Sequence, residues 1–352
     1  MNIFIPNIKF PVKDKRNLFI LTRPFYSEKC WANDNDVKSK WNFNNDFSFT
    51  EIVEKAQIIL IPFSINNYFT ENKGDELEKI NALCIQYNIK ALGFIEGDFG
   101  IAFPEFSNIV YFRMGGFKKQ LSDKNKGFPV ALSDHFQRFF YQETITPSAK
   151  KELPIVSFCG HATTSLIKRL KEIAKCLLEN SKRFIAKPFR KDYEPLFASA
   201  YERAKLLHLF EKSRFINTNF IYRKNYRGGA ITKAQREVTT LEYYQNIYQS
   251  DYVLCVRGAG NFSVRLYETL MLGKIPIFVN TDCLLPFEET INWKNHVVWI
   301  EWEDRKNIAL IVSNFHNKLS EDDFIKMQLI NRQLWKETLS VKGMLEMISN
   351  DI

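Results

Sequence analysis

Two arginines flank a glycine-rich loop in the second half of the chain. Residues 257–268 read R-G-A-G-N-F-S-V-R-L-Y-E and follow the apolar run 252–256. This order predicts a strand, a loop and a helix whose free N–H groups and positive dipole end attract an anion. Arg257 and Arg265 can hold phosphate oxygens, and Glu268, one helical turn further on, can accept hydrogen bonds from hydroxyls. A phosphate clamp beside a hydroxyl acceptor predicts a nucleotide-sugar pocket.

The loop itself holds further candidate hydrogen-bond donors. These are Gly258, Gly260, Asn261 and Ser263. A different interpretation stays open, because Arg265 and Glu268 stand three apart on a helix and can form an ordinary surface ion pair.

The residues after this loop carry a resemblance to a known family. The G-K-I-P-I stretch, L-P-F and I-N-W follow in order at 273–277, 285–287 and 291–293. Together with the arginine loop, this run resembles the exostosin family of glycosyltransferases. Looser likeness extends to 56–63, to E-G-D-F-G at 96–100, and to 156–160 with Arg169. The resemblance implies a GT-B fold and inverting transfer from a nucleotide-diphospho-sugar.

Alternating apolar runs and helical patterns support an α/β fold class with parallel sheets. We expect two Rossmann-like domains that face each other across a cleft. Residues 1–150 form the acceptor-binding domain and 151–330 the nucleotide-sugar domain, with a polar, proline-containing linker near 143–154. The resemblance implies that the C-terminal helix, 331–352, returns to the first domain.

The patterns also predict the individual elements. Strands are expected at 2–5, 18–21, 58–63, 91–95, 108–112, 155–159, 214–217, 252–256, 275–279 and 297–300. Helices are expected at 49–55, 74–88, 165–180, 239–249 and 319–348.

Inversion by single displacement needs a base for the acceptor hydroxyl. Asp98 matches an acidic position of the family pattern, and Glu96 is its neighbour on the same turn. Two alternatives stay open: Asp98 caps a turn, or His135 is the base, since the histidine pKa suits proton transfer.

Two further segments are candidates for donor binding. Gly160 and His161 follow a strand and precede a helix, as the main loop does, although His161 can also serve as a helix cap. Arg227 lies in the basic loop Y-R-K-N-Y-R-G-G, which is as typical of a solvated charge run.

No metal or other cofactor is expected. Asp34 and Asp36 form a D-x-D triplet, but no buried strand precedes it, so a loop or a helix cap is the favoured interpretation. Two fixed guanidiniums can neutralise a departing diphosphate. The six cysteines lack C-x-x-C spacing and indicate free thiols.

Composition limits the partners. The 352 residues carry 49 basic and 40 acidic side chains, a net charge of +9, with most of the excess after residue 150. This suits an anionic ligand, and no nucleic-acid-binding motif is present. No signal peptide or apolar run of 18 residues is found, so we expect a cytoplasmic protein. Peripheral contact with the inner face of a membrane stays open.

The sequence therefore predicts an inverting, metal-independent glycosyltransferase. Its substrates would be a nucleotide-sugar donor and a glycan, polysaccharide or lipid-linked acceptor, in surface polysaccharide biosynthesis. A non-catalytic nucleotide-sugar-binding subunit is the alternative. A Rossmann dehydrogenase is disfavoured, because G-x-G-x-x-G after the first strand is missing.

Overall fold

The chain folds into two compact units of the α/β class. The computed structural model describes residues 1–8, 10, 17–22 and 48–351, except for the side chains of 226, 227 and 349–351. Unit 1 comprises Met1–Ser133, Leu284–Phe287 and Glu337–Ile352, and unit 2 comprises Asp134–Cys283 and Glu288–Lys336. The segment 337–352, which holds the last helix, is thus grouped with the N-terminal residues.

A six-stranded parallel sheet forms the centre of unit 1, in the order β2-β1-β3-β4-β5-β6. Its strands are β1 Asn2–Phe4, β2 Ser48–Phe49, β3 Ile58–Ser64, β4 Lys90–Ile95, β5 Ile109–Arg113 and β6 Asn125–Gly127. Its helices are α1 Ile65–Thr70, α2 Gly74–Tyr87 and the C-terminal α10 Val341–Asp351. Every residue of β3 is buried, as expected of a central strand covered on both faces.

A five-stranded parallel sheet forms the centre of unit 2, in the order β11-β10-β9-β7-β8. Its strands are β7 Ile155–Gly160, β8 Asn217–Tyr222, β9 Tyr252–Cys255, β10 Ile275–Asn280 and β11 Val298–Glu301. Its helices are α3 His135–Phe140, α4 Leu166–Ala186, α5 Ser199–Glu211, α6 Lys233–Tyr248, α7 Val264–Met271, α8 Ile308–Lys318 and α9 Glu321–Leu334. The core packs α5, α8 and α9 against the apolar side chains of this sheet.

The prediction of two parallel α/β domains is confirmed, but four of the predicted elements are wrong. The helix expected at 49–55 is the end of β2 followed by a 3-10 turn at Val53–Lys55, and the strand expected at 214–217 lies instead at Asn217–Tyr222. Residues 18–21 form a turn with one antiparallel bridge to Phe63 instead of a strand. The hydroxyl group of Thr22 donates to the carbonyl oxygens of Phe19 in this turn and of Pro62 in β3. The single helix expected over 319–348 is divided into α9, a π turn at Trp335–Leu339, and α10.

Strand order identifies where a ligand is most easily bound. In unit 2 the chain passes from β7 outward to β8 and then returns to the other side of β7 with β9. The direction of winding therefore reverses between β7 and β9. In open α/β sheets the crevice at the carboxyl ends of such a strand pair is the usual ligand site.

Candidate active site at the carboxyl ends of β7 and β9

Two guanidinium groups lie over one aromatic ring at this switch point. Arg265, on the first turn of α7, stands 4.4 Å from the ring centre of Phe158, the fourth residue of β7. Its Nη2 donates to the carbonyl oxygen of Cys159 at 3.0 Å. Gly160 leaves room for this approach, because a Cβ there would stand 3.1 Å from Arg265 Nη2.

Arg203 of α5 is the second guanidinium, 5.6 Å from the ring centre of Phe158. It donates to the carbonyl oxygen of His161 at 2.6 Å, and more weakly to that of Arg257 at 3.5 Å. Burial, together with the neighbouring charge of Arg265, lowers the pKa of Arg203 to about 10. Arg203 is therefore still a cation at neutral pH.

Neither of these two cations is paired directly with a carboxylate in the described part of the chain. No described carboxylate forms a salt bridge with Arg203 or Arg265, although Glu172 and Glu268 act on them from a longer distance. The Nε–H of each guanidinium has no hydrogen-bond partner among the described residues. Removing a charge from water without pairing it is costly. Because each guanidinium keeps an N–H group without a partner among the described residues, the pair is suited to receive an anion.

Arg257, which was predicted to hold phosphate oxygens, has a buried side chain that is already paired. Its side chain is 3% exposed, lies 4.7 Å above the ring of Phe197, and forms a salt bridge with Glu194 at 3.7 Å. Its Nη2 also donates to the carbonyl oxygen of Ala259 within the loop. Arg257 therefore shapes the glycine loop, and its charge is already balanced by a buried carboxylate.

Within the loop, the predicted residues divide into two kinds. A Cβ on Gly258 would meet no atom of the described residues within 4 Å, so their packing does not require glycine there. Asn261, in contrast, is buried and donates to the carbonyl oxygens of Thr281 and Asp282, both at 2.9 Å. The side chain of Asn261 anchors the loop to the end of β10.

The remaining loop positions lie beside the start of α7. Gly260 is buried, and Ser263 precedes α7 without capping it by a side-chain hydrogen bond. The hydroxyl group of Ser263 is thus not committed to the helix end.

Glu268 accepts hydrogen bonds from two tyrosines of α6. Its carboxylate oxygens lie 2.5 Å from the hydroxyl oxygen of Tyr243 and 3.0 Å from that of Tyr244. Burial raises the pKa of this carboxyl group, against the opposing effect of Tyr243, Arg265 and Tyr244. The surface ion pair between Arg265 and Glu268 is wrong as an alternative. Each oxygen of Glu268 retains a second lone pair that a sugar hydroxyl can use.

Gly160 and His161 lie within this cluster. The Nδ1 atom of His161 is 2.9 Å from the carbonyl oxygen of Arg223, so Nδ1 carries the proton and Nε2 is left for another partner. His161 is not the helix cap, because Ser165 caps α4. Arg227 lies in the turn Tyr226–Gly229, and its side chain is outside the described part of the chain.

The predicted catalytic residues follow β4 in unit 1. The side chain of Asn66 brackets Glu96, accepting from its N–H at 2.9 Å and donating to its carbonyl oxygen at 3.2 Å. Gly97 adopts φ +101°, and Asp98 is exposed at the tip of this turn. His135, the alternative base, belongs to unit 2, where its ring lies 4.9 Å from that of Tyr244.

Sequence reasoning missed Arg203 and took Arg169 instead as the arginine after β7. Arg169 lies on α4 with its guanidinium 4.9 Å over the ring of Tyr201, whereas Arg203 reaches the strand ends. One signal was available: Ala200, Ala204 and Leu207 mark the buried face of α5, and Arg203 stands beside them. An arginine next to a buried helix face needs a specific partner.

The prediction that the D-x-D triplet does not bind a metal ion stays a prediction, since Asp34 and Asp36 lie outside the described residues. In the part of the chain that is described, no three His, Cys, Asp or Glu side chains are grouped as metal ligands.

A family model, the Exostosin GT47 domain, matches residues 196–315. This segment includes α5 with Arg203 and the whole arginine loop. Residues 196–315 form an exostosin GT47 domain. It is a domain of a glycosyltransferase family, and the resemblance seen in the sequence is confirmed.

Known relatives of the exostosin domain share a short segment with this chain. A probable glucuronosyltransferase of Oryza sativa subsp. japonica is 30% identical over 86 residues, 24% of this chain and 19% of that protein. The probable β-1,4-xylosyltransferase IRX10L of Arabidopsis thaliana is 32% identical over 72 residues, which are 20% of this chain and 17% of that protein. The match therefore spans about a fifth of the length of these relatives.

Among solved structures, a crystal structure of TarM from S. aureus is similar at 11% identity and a TM-score of 0.37, covering 83% of this chain and 54% of TarM. Within the described residues, no helix has both the length and the apolar content needed to cross a bilayer.

Proposed function

We propose that the protein is an inverting glycosyltransferase that uses a nucleotide-diphospho-sugar donor. The observation that carries this proposal is the pair of guanidiniums, Arg203 and Arg265, at the β7–β9 switch point, where neither forms a salt bridge with a described residue. A diphosphate supplies the missing negative charge, and both cations can form charge-assisted hydrogen bonds with its oxygens. The exostosin GT47 domain that contains both residues supports this choice of ligand.

In the proposed reaction, the acceptor oxygen forms a bond to the anomeric carbon while the bond from that carbon to the diphosphate breaks. The hydroxyl proton passes to a carboxylate, for which we propose Asp98, with Glu96 as the alternative. The leaving diphosphate gains negative charge beside Arg203 and Arg265, and cations fixed in advance stabilise this charge as it develops. We therefore propose that no metal ion is needed at the diphosphate.

The other parts of the site position the donor. We propose that the loop at Gly258 and the hydroxyl of Ser263 contact the phosphates. Glu268, held by two tyrosines, would accept hydroxyl groups of the ribose or the sugar. His161 has its Nε2 free to donate to a phosphate when the ring is protonated.

The acceptor is proposed to be a glycan, polysaccharide or lipid-linked sugar in surface polysaccharide assembly. Relatives named for glucuronosyl and xylosyl transfer support a glycan acceptor, and they place nucleotide-linked glucuronic acid and xylose first among the donors to test.

The experiment measures binding and turnover on the same protein. Nucleoside diphosphates with different bases are titrated by calorimetry in EDTA and in Mg²⁺, and hydrolysis of the matching sugar donors is then followed. Binding in EDTA that Mg²⁺ does not strengthen, together with donor hydrolysis, supports the proposal. Binding without hydrolysis or transfer to any acceptor indicates a non-catalytic nucleotide-sugar-binding subunit. Absence of binding contradicts the diphosphate site.

A further inference from the structure

The helix α4 faces solvent with its apolar side. Most of the large apolar side chains of this 21-residue helix are exposed, namely Leu166, Ile167, Leu170, Leu177, Leu178, Phe184 and Ile185. Their spacing of three, four and seven residues places them on one continuous face. Contiguous exposed apolar surface of this kind marks an interaction site.

The polar side of the same helix packs against the protein. Asn180 exchanges two hydrogen bonds with the backbone of Glu194, at 2.8 and 2.9 Å. Arg183 is 4% exposed and donates to the carbonyl oxygen of Asp192, and Glu172 accepts from the N–H of Ala200. An ordinary surface helix buries its apolar side, so α4 has the reverse orientation.

A row of lysines borders the exposed apolar face. Lys168, Lys171, Lys175 and Lys182 follow one another at intervals of three, four and seven residues, and all four are exposed. The two acidic residues of the helix, Glu172 and Glu179, lie on the packed side and are partly buried. The outward surface of α4 therefore combines apolar side chains with positive charge.

The same character continues past the end of the helix. Residues 166–191 hold nine basic and two acidic side chains, a net charge of +7. Phe189 is 98% exposed and lies between the exposed Lys187 and Lys191. An aromatic ring among lysines is typical of the interfacial region of a bilayer.

We propose that α4 and the segment to Lys191 bind the surface of a bilayer that contains anionic phospholipid. A helix with a large apolar face and lysines along its border lies in the plane of the interface, with the apolar face among the acyl chains. The charge pattern favours lipid over a second copy of this chain, because two such faces would bring their lysine rows together. This inference does not depend on the proposed transferase activity.

The test is flotation of the full-length chain with vesicles of phosphatidylcholine, alone or with three parts in ten phosphatidylglycerol. Wild type should float with the anionic vesicles at low salt, and less at high salt. The triple variant Leu170→Gln, Leu177→Gln, Phe184→Gln removes the apolar contact. The variant Lys168→Gln, Lys171→Gln, Lys175→Gln, Lys182→Gln should lower the partition coefficient about a hundred-fold or more.

A matched control changes three exposed apolar side chains elsewhere, Ile85→Gln, Leu310→Gln and Leu329→Gln, and should float as wild type does. Circular dichroism and thermal unfolding, unchanged in every variant, show that the fold is retained. Wild type that does not float, or an apolar variant that floats equally well, overturns the proposal. A wild-type dimer in sedimentation velocity that the apolar variant abolishes, without flotation, assigns the face to a second copy instead.

Discussion

The two sheets share parallel topology, yet the carboxyl ends of their strands carry opposite charges. In unit 2 these ends gather the guanidiniums of Arg203 and Arg265 around Phe158. In unit 1 the turn after β4 presents the carboxylates of Glu96 and Asp98. In open parallel sheets, ligands lie outside the carboxyl ends of the strands. The side chains at these ends therefore suit unit 2 to bind an anion and unit 1 to accept a proton.

Neutralising the carboxylates of unit 1 should have the largest effect on glycosyl transfer. We expect Asp98→Asn to lower glycosyl transfer about 10²–10⁴-fold, because general base catalysis contributes that much, while the Kd for nucleoside diphosphate stays unchanged. Transfer kinetics and calorimetry check the two parts. Glu96→Gln is the paired variant, and a larger loss there would assign the base to Glu96. Full transfer in both variants would contradict a base in this turn.

Removing a cation of unit 2 should have the next largest effect. Arg265→Ala should lower turnover about 10²–10³-fold, as the loss of one fixed donor to a developing charge does, and should weaken diphosphate binding. Arg169→Ala is the matched control, because its guanidinium lies over Tyr201 on α4 and outside the strand ends. Near-normal turnover of Arg265→Ala in a folded protein would remove this residue from the mechanism.

A smaller effect is expected at the glycine loop. Gly258→Ala adds a methyl group that lies more than 4 Å from every other residue the structure describes, so the melting temperature should be unchanged. Nucleoside diphosphate should bind about tenfold more weakly or worse, since the methyl group competes with the phosphate. Gly74→Ala in unit 1, where a Cβ has only an ordinary contact at 3.5 Å with Phe69, is the control. Equal affinity in the two variants would place the phosphates elsewhere.

Lys274, a buried cation outside the site, should affect the stability of the protein and leave donor binding unchanged. Burial lowers the pKa of Lys274 from 10.5 to about 8, so between those values the unfolded chain binds more protons and stability rises with pH. Lys274→Met should remove this rise and gain up to about 3 kcal/mol below pH 8. Denaturant unfolding of both proteins at pH 7 and 10 checks it. A stability difference that is the same at both pH values would contradict the linkage.

Much of the fold was predictable from local pattern. The helix 74–88 and the central strands of both sheets followed from apolar patterns, because these elements bury apolar side chains. The short strands β2 and β6 were not predicted, and β8 was placed too early in the chain. The strand predicted for the apolar run 18–21 was wrong, since burial alone does not distinguish a strand from a packed turn. The break at Trp335–Leu339 was also missed, because apolar spacing continues across it.

The site was predictable only where its residues are consecutive. The loop from Arg257 to Glu268 is visible as a motif. Two residues that contact Arg257, Glu194 and Arg203, lie more than fifty residues upstream of it. Spacing cannot show which side chains meet across a sheet. The tyrosine partners of Glu268 were hidden for the same reason.

A crystal structure with a bound nucleoside diphosphate tests the central claim most directly. The account predicts diphosphate oxygens within about 3.2 Å of the guanidinium nitrogens of both Arg203 and Arg265. A diphosphate bound elsewhere, with both guanidiniums still donating to carbonyl oxygens of the protein alone, would contradict it.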